Sequence, residues 1–336
     1  MATMRKDCKK STKVTLENVQ SYHEDHNRSY GDYESYAFAG FKSNKYFTSD
    51  RYIPLADGWI RVDGKPLKGF GLEIETECWS MSDHRALATV LQGLVFKVFP
   101  EDLFKLQYDS SLGVSGEYDS WGECETAPAI GVECITQIMT KQFIRNHYKD
   151  FKAMYDDYFR HLRISCSDTG NCGMHVNVSN AIFGDTLEKQ KDSIRKLHYF
   201  INKNYELCCR LLNRDEDHTD YCGEMYYGDK EYCKTMELDC GSHGTCMNYS
   251  HFKKGRVEIR LVGGQSNYYE FRNTMEVVFF LCDRMRKISW DDLDDLAKVF
   301  KGCNQYVVKR LRYSYINGSD YEKIANNAIH EDLELA

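Results

Sequence analysis

The chain has 336 residues, 42% of them hydrophobic and 28% charged, with a formal net charge of −7. That composition belongs to a folded globule of one large domain or two modest ones, and it excludes a disordered or collagen-like chain. The acidic balance offers no electrostatic footprint for nucleic acid, and no stretch reaches the roughly 18 apolar residues of a membrane span.

Residues 1–45 mix Lys, Ser, Tyr, Asp and Asn without a period, and read as a polar arm, partly disordered or draped over the fold. Asp57-Gly58 and Asp63-Gly64 are turn signals, and Trp59-Ile60-Arg61-Val62 between them predicts a short hairpin. Gly71-Leu72-Glu73-Ile74-Glu75-Thr76-Glu77 follows, where apolar residues and Thr76 alternate with glutamates at the period of a half-buried strand. One face packs on a core; the other carries Glu73, Glu75 and Glu77 in a row. A helix is predicted over 85–99, with Ser82 or Asp83 as cap and Pro100 beyond its end. Phe104 to Tyr108 reads as a strand ending at Asp109-Ser110-Ser111-Leu112, and 113–120 as a polar loop. Trp121 to Thr126 is strand-like again, placing Glu123 and Glu125 on one face, and Pro128 closes it.

Residues 131–163 read as one long amphipathic helix whose stripe runs from Ile135 through Ile138, Met139 and Phe143 to Tyr158. After a turn at 168–171, Cys172 to Ser179 is a strand with His175, Asn177 and Ser179 opposite Met174, Val176 and Val178. Residues 186–213 are helical. Residues 214–249, with Cys222, Cys233, Cys240, His243 and Cys246, form a covering loop or an insertion. Their spacing lacks the paired Cys-x-x-Cys of a zinc ribbon, so free, partly buried thiols are expected. Val257 to Val262 is the last strand, with Glu258 and Arg260 on one face. Helices follow over 269–288 and within 291–333, where 291–336 forms a C-terminal extension. With 14 cysteines and no apolar run behind Met1-Ala2-Thr3-Met4-Arg5-Lys6, the chain reads as a reduced, cytoplasmic protein.

If these strands share a sheet, their polar faces converge. Carboxylates about 4 Å apart repel by about 4 kcal/mol at an effective dielectric near 20, so a cluster of them calls for cations. Oxygen-rich ligation with one imidazole suits Mg²⁺ or Mn²⁺. Such ions typically hold nucleotide phosphates, and a neighbouring arginine stabilises a transferring phosphoryl group. Each piece also has a plainer reading: a solvated strand face for the glutamates, Glu77 and Glu125 above all; a structural histidine for His175; an ion pair for Glu258 and Arg260; a turn former for Asp109.

Five segments taken in order resemble the phage and bacterial amidoligase family, relatives of glutamine synthetase and glutamate–cysteine ligase. They are Gly71-x-Glu73-x-Glu75, Asp109-Ser110-Ser111-Leu112, Gly122-Glu123-x-x-Thr126-x-Pro128, Cys172-Gly173-Met174-His175-Val176-Asn177-Val178 and Val257-Glu258-x-Arg260. The resemblance implies an α+β fold: a mostly antiparallel curved sheet with helices on one face, forming a catalytic domain over 46–290. It implies ATP and Mg²⁺ or Mn²⁺ as cofactors, and ATP-dependent joining of a small-molecule or peptide carboxylate to an amine through an acyl phosphate. It makes Glu73, Glu75, Glu123, His175 and Glu258 the metal ligands. Arg260 becomes the arginine near the γ-phosphate. Glu123 and Asn177 join Arg260 as catalytic candidates, and Asp109 joins Glu73, His175 and Arg260 at the nucleotide. Homo-oligomers are common among such ligases. The sequence departs from the family at Ser110, where relatives carry glycine, and at Asn177, where they often carry a second histidine. Two rival readings keep the fold: a phosphotransferase acting on a guanidino-like nitrogen, and a non-catalytic binding protein.

Overall fold

The computed structural model describes residues 37–39, 45–48, 52–54, 61–62, 65–78, 84–107, 112, 130–166, 172–215, 222–223, 229–238, 244–314 and 318–329. The strands among them are β1 Ala37–Ala39, β2 Lys45–Phe47, β3 Tyr52–Pro54, β4 Arg61–Val62, β5 Lys65–Pro66, β6 Phe70–Cys78, β7 Phe104–Gln107, β8 Ile130–Thr136, β9 Ile138–Met139, β10 Ile164–Ser165, β11 Met174–Ser179, β12 Met247–Asn248 and β13 Arg256–Ile259. The fold is α+β, and its antiparallel sheet runs in the order β1-β7-β8-β6-β11-β13-β12. Part of the expected N-terminal arm therefore belongs to the sheet, since Ala37 of β1 pairs with Gln107 of β7. β2 lies parallel to β9, and β10 pairs with the end of β6. β4 and β5 make a separate two-stranded hairpin.

β6 sits at the centre because its apolar face is continuous. Leu72, Ile74 and Cys78 are buried there, next to Val132 and Cys134 of β8 and Met174, Val176 and Val178 of β11. Even the hydroxyl on this face is satisfied: Thr76 Oγ1 donates to the Val132 carbonyl at 2.6 Å. The helix Tyr268–Met285 contributes Phe279, which meets Phe70 of β6 edge-on at 4.7 Å. The helical stretch 141–162 packs beside it, with Phe151 stacked on Phe271. Both helices start on side-chain caps: Thr140 accepts from the Phe143 N–H and Asn267 from the Glu270 N–H.

A buried ion pair ties these helices to Gln305–Leu311. Glu276, 1% exposed, accepts from Arg145 Nε at 2.8 Å and Nη2 at 2.6 Å, from Tyr148 Oη at 2.7 Å and from Asn304 Nδ2 at 2.8 Å. Both carboxylate oxygens are thus doubly used, the condition under which a buried charge is tolerated.

The continuous helix expected over 131–163 is not formed. Ile130–Thr136 is a strand, and helix begins at Lys141. The apolar residues of that stretch fit a helical stripe, but Val132, Cys134 and Thr136 also alternate with Glu133 and Ile135 at period two. Pairing with both β6 and β7 decides the competition. Within the helix, 153–159 takes a π-helical winding.

The cysteines among the described residues are buried and form no disulfide with one another. Cys222, Cys233 and Cys246 are among them; Cys240 and His243 lie outside the described residues. No helix among the described residues is long and apolar enough to cross a membrane.

Candidate metal centre

The polar side of β6 carries Glu73, Glu75 and Glu77, and the registers of its neighbours decide what meets them. On one side, Glu75 stands opposite Glu133 of β8. On the other, His175 of β11 stands opposite Glu73, and Asn177 opposite Gly71. One strand further, Asn177 stands opposite Glu258 of β13, and Asn248 of β12 faces Glu258 from the far side. Five strands drawn from separate parts of the chain thus place acids, an imidazole and two amides in one patch.

The side chains make a connected network. Asn177 Nδ2 donates to Glu73 Oε1 at 2.8 Å. His175 Nδ1 lies 3.3 Å from Glu73 Oε2 and 3.5 Å from Glu258 Oε1, while its Nε2 lies 3.6 Å from Glu75 Oε1. Arg260, just past β13, donates from Nη1 to Glu258 Oε1 at 2.8 Å, and Asn248 Nδ2 donates to Glu258 Oε2 at 2.9 Å. The other oxygen of Glu75 accepts from the Gly173 N–H at 2.5 Å. A Cβ at Gly173 would come within 2.6 Å of Arg214 Nη2 and 3.2 Å of Glu75 Oε2, so a side chain here displaces one or both of those groups. Arg214 is held by the Val262 carbonyl at 2.9 Å, so a second guanidinium is anchored behind the acids.

Electrostatics follow from this crowding. Burial pushes the Glu73 carboxyl up, but hydrogen bonds from His175 and Asn177, with the charges of His175 and Arg256, outweigh it and hold it at about 2. Burial works against a charged His175, yet Glu75 and Glu73 raise its pKa above the ordinary histidine value despite Arg260. Without a cation, the Arg260 guanidinium on Glu258 and the favoured protonation of His175 are what the patch sets against its own acids.

The donor set suits a hard divalent cation. Ligand atoms of Glu73, Glu133 and His175 all lie within 4.8 Å of one another, the grouping of that kind found among the described residues. Two carboxylates and one imidazole favour Mg²⁺ or Mn²⁺ over a thiolate-seeking metal. Cys222, Cys233 and Cys246 do not form such a grouping.

The predicted residues distribute as follows. Glu73, Glu75, His175, Asn177, Glu258 and Arg260 are brought together. Asp109, Glu123 and Glu125 lie outside the described residues. Glu77, expected at a solvated face, is 0% exposed, because Gly131 of β8 and Ser165 of β10 flank it in the sheet. Sequence reasoning missed Glu133, Asn248 and Arg214. Glu133 was hidden in the segment read as helix, although Val132-Glu133-Cys134 alternates as β6 does. Asn248 and Arg214 carry no local signal; their places come from a two-residue edge strand and from the chain's return past Val262. Comparison of the chain with protein-family models and with curated proteins finds no match.

Proposed function

We propose that the chain is an ATP- and Mg²⁺-dependent carboxylate–amine ligase with a glutamine-synthetase-like catalytic domain. The observation that carries this reading is the convergence of Glu73, Glu75, Glu133, His175 and Glu258 from β6, β8, β11 and β13 on one sheet face. Glu73, Glu133 and His175 would hold a divalent cation, with Glu75 and Glu258 adjoining it. When bound, such a cation neutralises phosphate oxygens and so assists phosphoryl transfer.

The chain's own residues have separable tasks in this reading. Asn177 fixes the Glu73 carboxylate by its 2.8 Å hydrogen bond. Glu258 and Asn248 orient the Arg260 guanidinium, whose remaining N–H groups can meet a phosphoryl or carboxylate oxygen. In the reaction, an acid's carboxylate oxygen attacks the γ-phosphorus of ATP and ADP leaves. The amine nitrogen then attacks the acyl carbon, phosphate departs with the C–O electron pair, and the nitrogen loses a proton.

The test is nucleotide turnover by the purified full chain with Mg²⁺-ATP and panels of acids and amines. The reading expects ADP and phosphate release only when acid and amine are both present, and loss of that release in a folded Glu75→Ala variant. A stable N-phosphate product instead of an amide would make the protein a phosphotransferase. Calorimetry showing no binding of Mg²⁺-ATP would refute both reactions.

A further inference from the structure

The imidazole of His175 divides the metal centre into two sides. Its Nε2 faces Glu75 Oε1 at 3.6 Å. Its Nδ1 lies 3.3 Å from Glu73 Oε2 and 3.5 Å from Glu258 Oε1. Two carboxylate oxygens and an imidazole nitrogen therefore meet on the Nδ1 side, the same donor types as in the grouping of Glu73, Glu133 and His175. Such donors would suit a second hard cation. A cationic group of the chain already stands among them. Arg260 Nη1 donates to Glu258 Oε1 at 2.8 Å and lies 3.4 Å from His175 Nδ1. The guanidinium is held there. Arg260 is 7% exposed, and its backbone N–H donates to the Cys246 carbonyl at 2.9 Å. Asn248 Nδ2 donates to the other oxygen of Glu258 at 2.9 Å and fixes the acceptor that Arg260 uses. The buried Nε of Arg260 has no hydrogen-bond partner, so hydrogen bonding alone does not account for the position; the acids do. A guanidinium is not deprotonated in proteins, so this charge is permanent. A divalent ion on the Nδ1 side would have to displace Nη1 or sit beside it, at twice the repulsion of two unit charges.

We infer that Arg260 takes the place of a second divalent cation, so that the protein by itself holds one such ion, among Glu73, Glu133 and His175. The inference rests on the metal-centre reading above and deepens it. One metal ion and one guanidinium, rather than two metal ions, stand against the carboxylates of Glu73, Glu75, Glu133 and Glu258. A chelator then strips only part of the positive charge, because the Arg260 share is covalently part of the chain.

The test counts Mn²⁺ bound by the full chain without nucleotide, by calorimetry, and reads the coupling of the bound ions by electron paramagnetic resonance. Wild type is expected to bind one ion and give the spectrum of an isolated Mn²⁺. Arg260→Ala and Arg260→Gln are expected to bind two and give the spectrum of a coupled pair, since ions in two-metal sites lie roughly 3.5–4 Å apart. Ions scattered over the acidic surface would not couple. Arg260→Lys, which keeps a positive charge, is expected to stay at one. A coupled pair in the wild type or in Arg260→Lys, or a single isolated ion in both the folded Ala and Gln variants, would overturn the inference and leave the metal centre standing. The wild-type count is decisive against the inference whether or not the variants fold. No Mn²⁺ bound by any of the proteins would remove the metal centre, and the inference with it.

Discussion

Glu133 is the residue whose replacement tests the metal centre most sharply, because the expected effect changes sign with the cation. Its ligand oxygen lies within 4.8 Å of those of Glu73 and His175. Two full negative charges at that separation repel by about 3.5 kcal/mol at an effective dielectric near 20. His175, whose pKa Glu75 and Glu73 raise, and the Arg260 guanidinium beside it offset part of this. Glu133→Gln keeps the shape and removes the charge, so the metal-free variant should gain about 1–2 kcal/mol. For 336 residues the unfolding entropy is about 0.7 kcal/mol per kelvin, which makes this gain a rise of roughly 2 °C in Tm. With Mn²⁺ at 100 times its Kd, the wild type should gain about 2.7 kcal/mol, or roughly 4 °C, and the variant much less. The order of stability therefore reverses on adding Mn²⁺. Differential scanning calorimetry of both proteins, with chelator and with Mn²⁺, measures it. Equal Mn²⁺ shifts in the two proteins, or a variant less stable than wild type in chelator, would refute the reasoning.

Other expectations rest on separate parts of the molecule. Glu276→Ala leaves Arg145, Tyr148 and Asn304 without their shared acceptor and should cost about 3–5 kcal/mol, read as a lowered urea midpoint with an unchanged slope. Gly173→Ala puts a methyl against Arg214 and Glu75, so Mn²⁺ affinity should fall by about tenfold or more while the protein remains folded by circular dichroism. His198 is fully buried, and burial lowers its pKa to about 4 from 6.5. The native state then binds fewer protons than the unfolded chain between those values, so stability should fall as pH drops from about 6.5 to 4, by up to about 3 kcal/mol. His198→Gln should remove most of that slope in denaturant titrations at stepped pH.

The strands that build the metal centre differ in how openly they declare themselves. β6 and β11 are legible because each alternates apolar and polar residues without interruption, and the parity of the pattern puts Glu73, Glu75, His175 and Asn177 on the outward face. β13 is legible for the same reason. β8 is not, because no glycine or proline separates it from the helix that follows. Ile135, Ile138, Met139 and Phe143 satisfy a helical period across the join. Only pairing between β6 and β7 distinguishes the two, and pairing is non-local. Glu77 shows the converse limit. Its parity is right, but β10 comes from nearly ninety residues away to pair beside it, and no local pattern reports that burial.

The register of β8 has a consequence for how this protein can change. Val132 and Cys134 face the hydrophobic interior while Glu133 faces the metal centre, so sliding the strand by one position would swap a carboxylate for a methyl-bearing side chain at the patch and drive an acid into the core. Single-residue insertions or deletions inside Ile130–Thr136 should therefore abolish folding and ion binding together. For this sheet, alignment between neighbours and affinity for a divalent ion are one heritable property, and selection on either preserves the other.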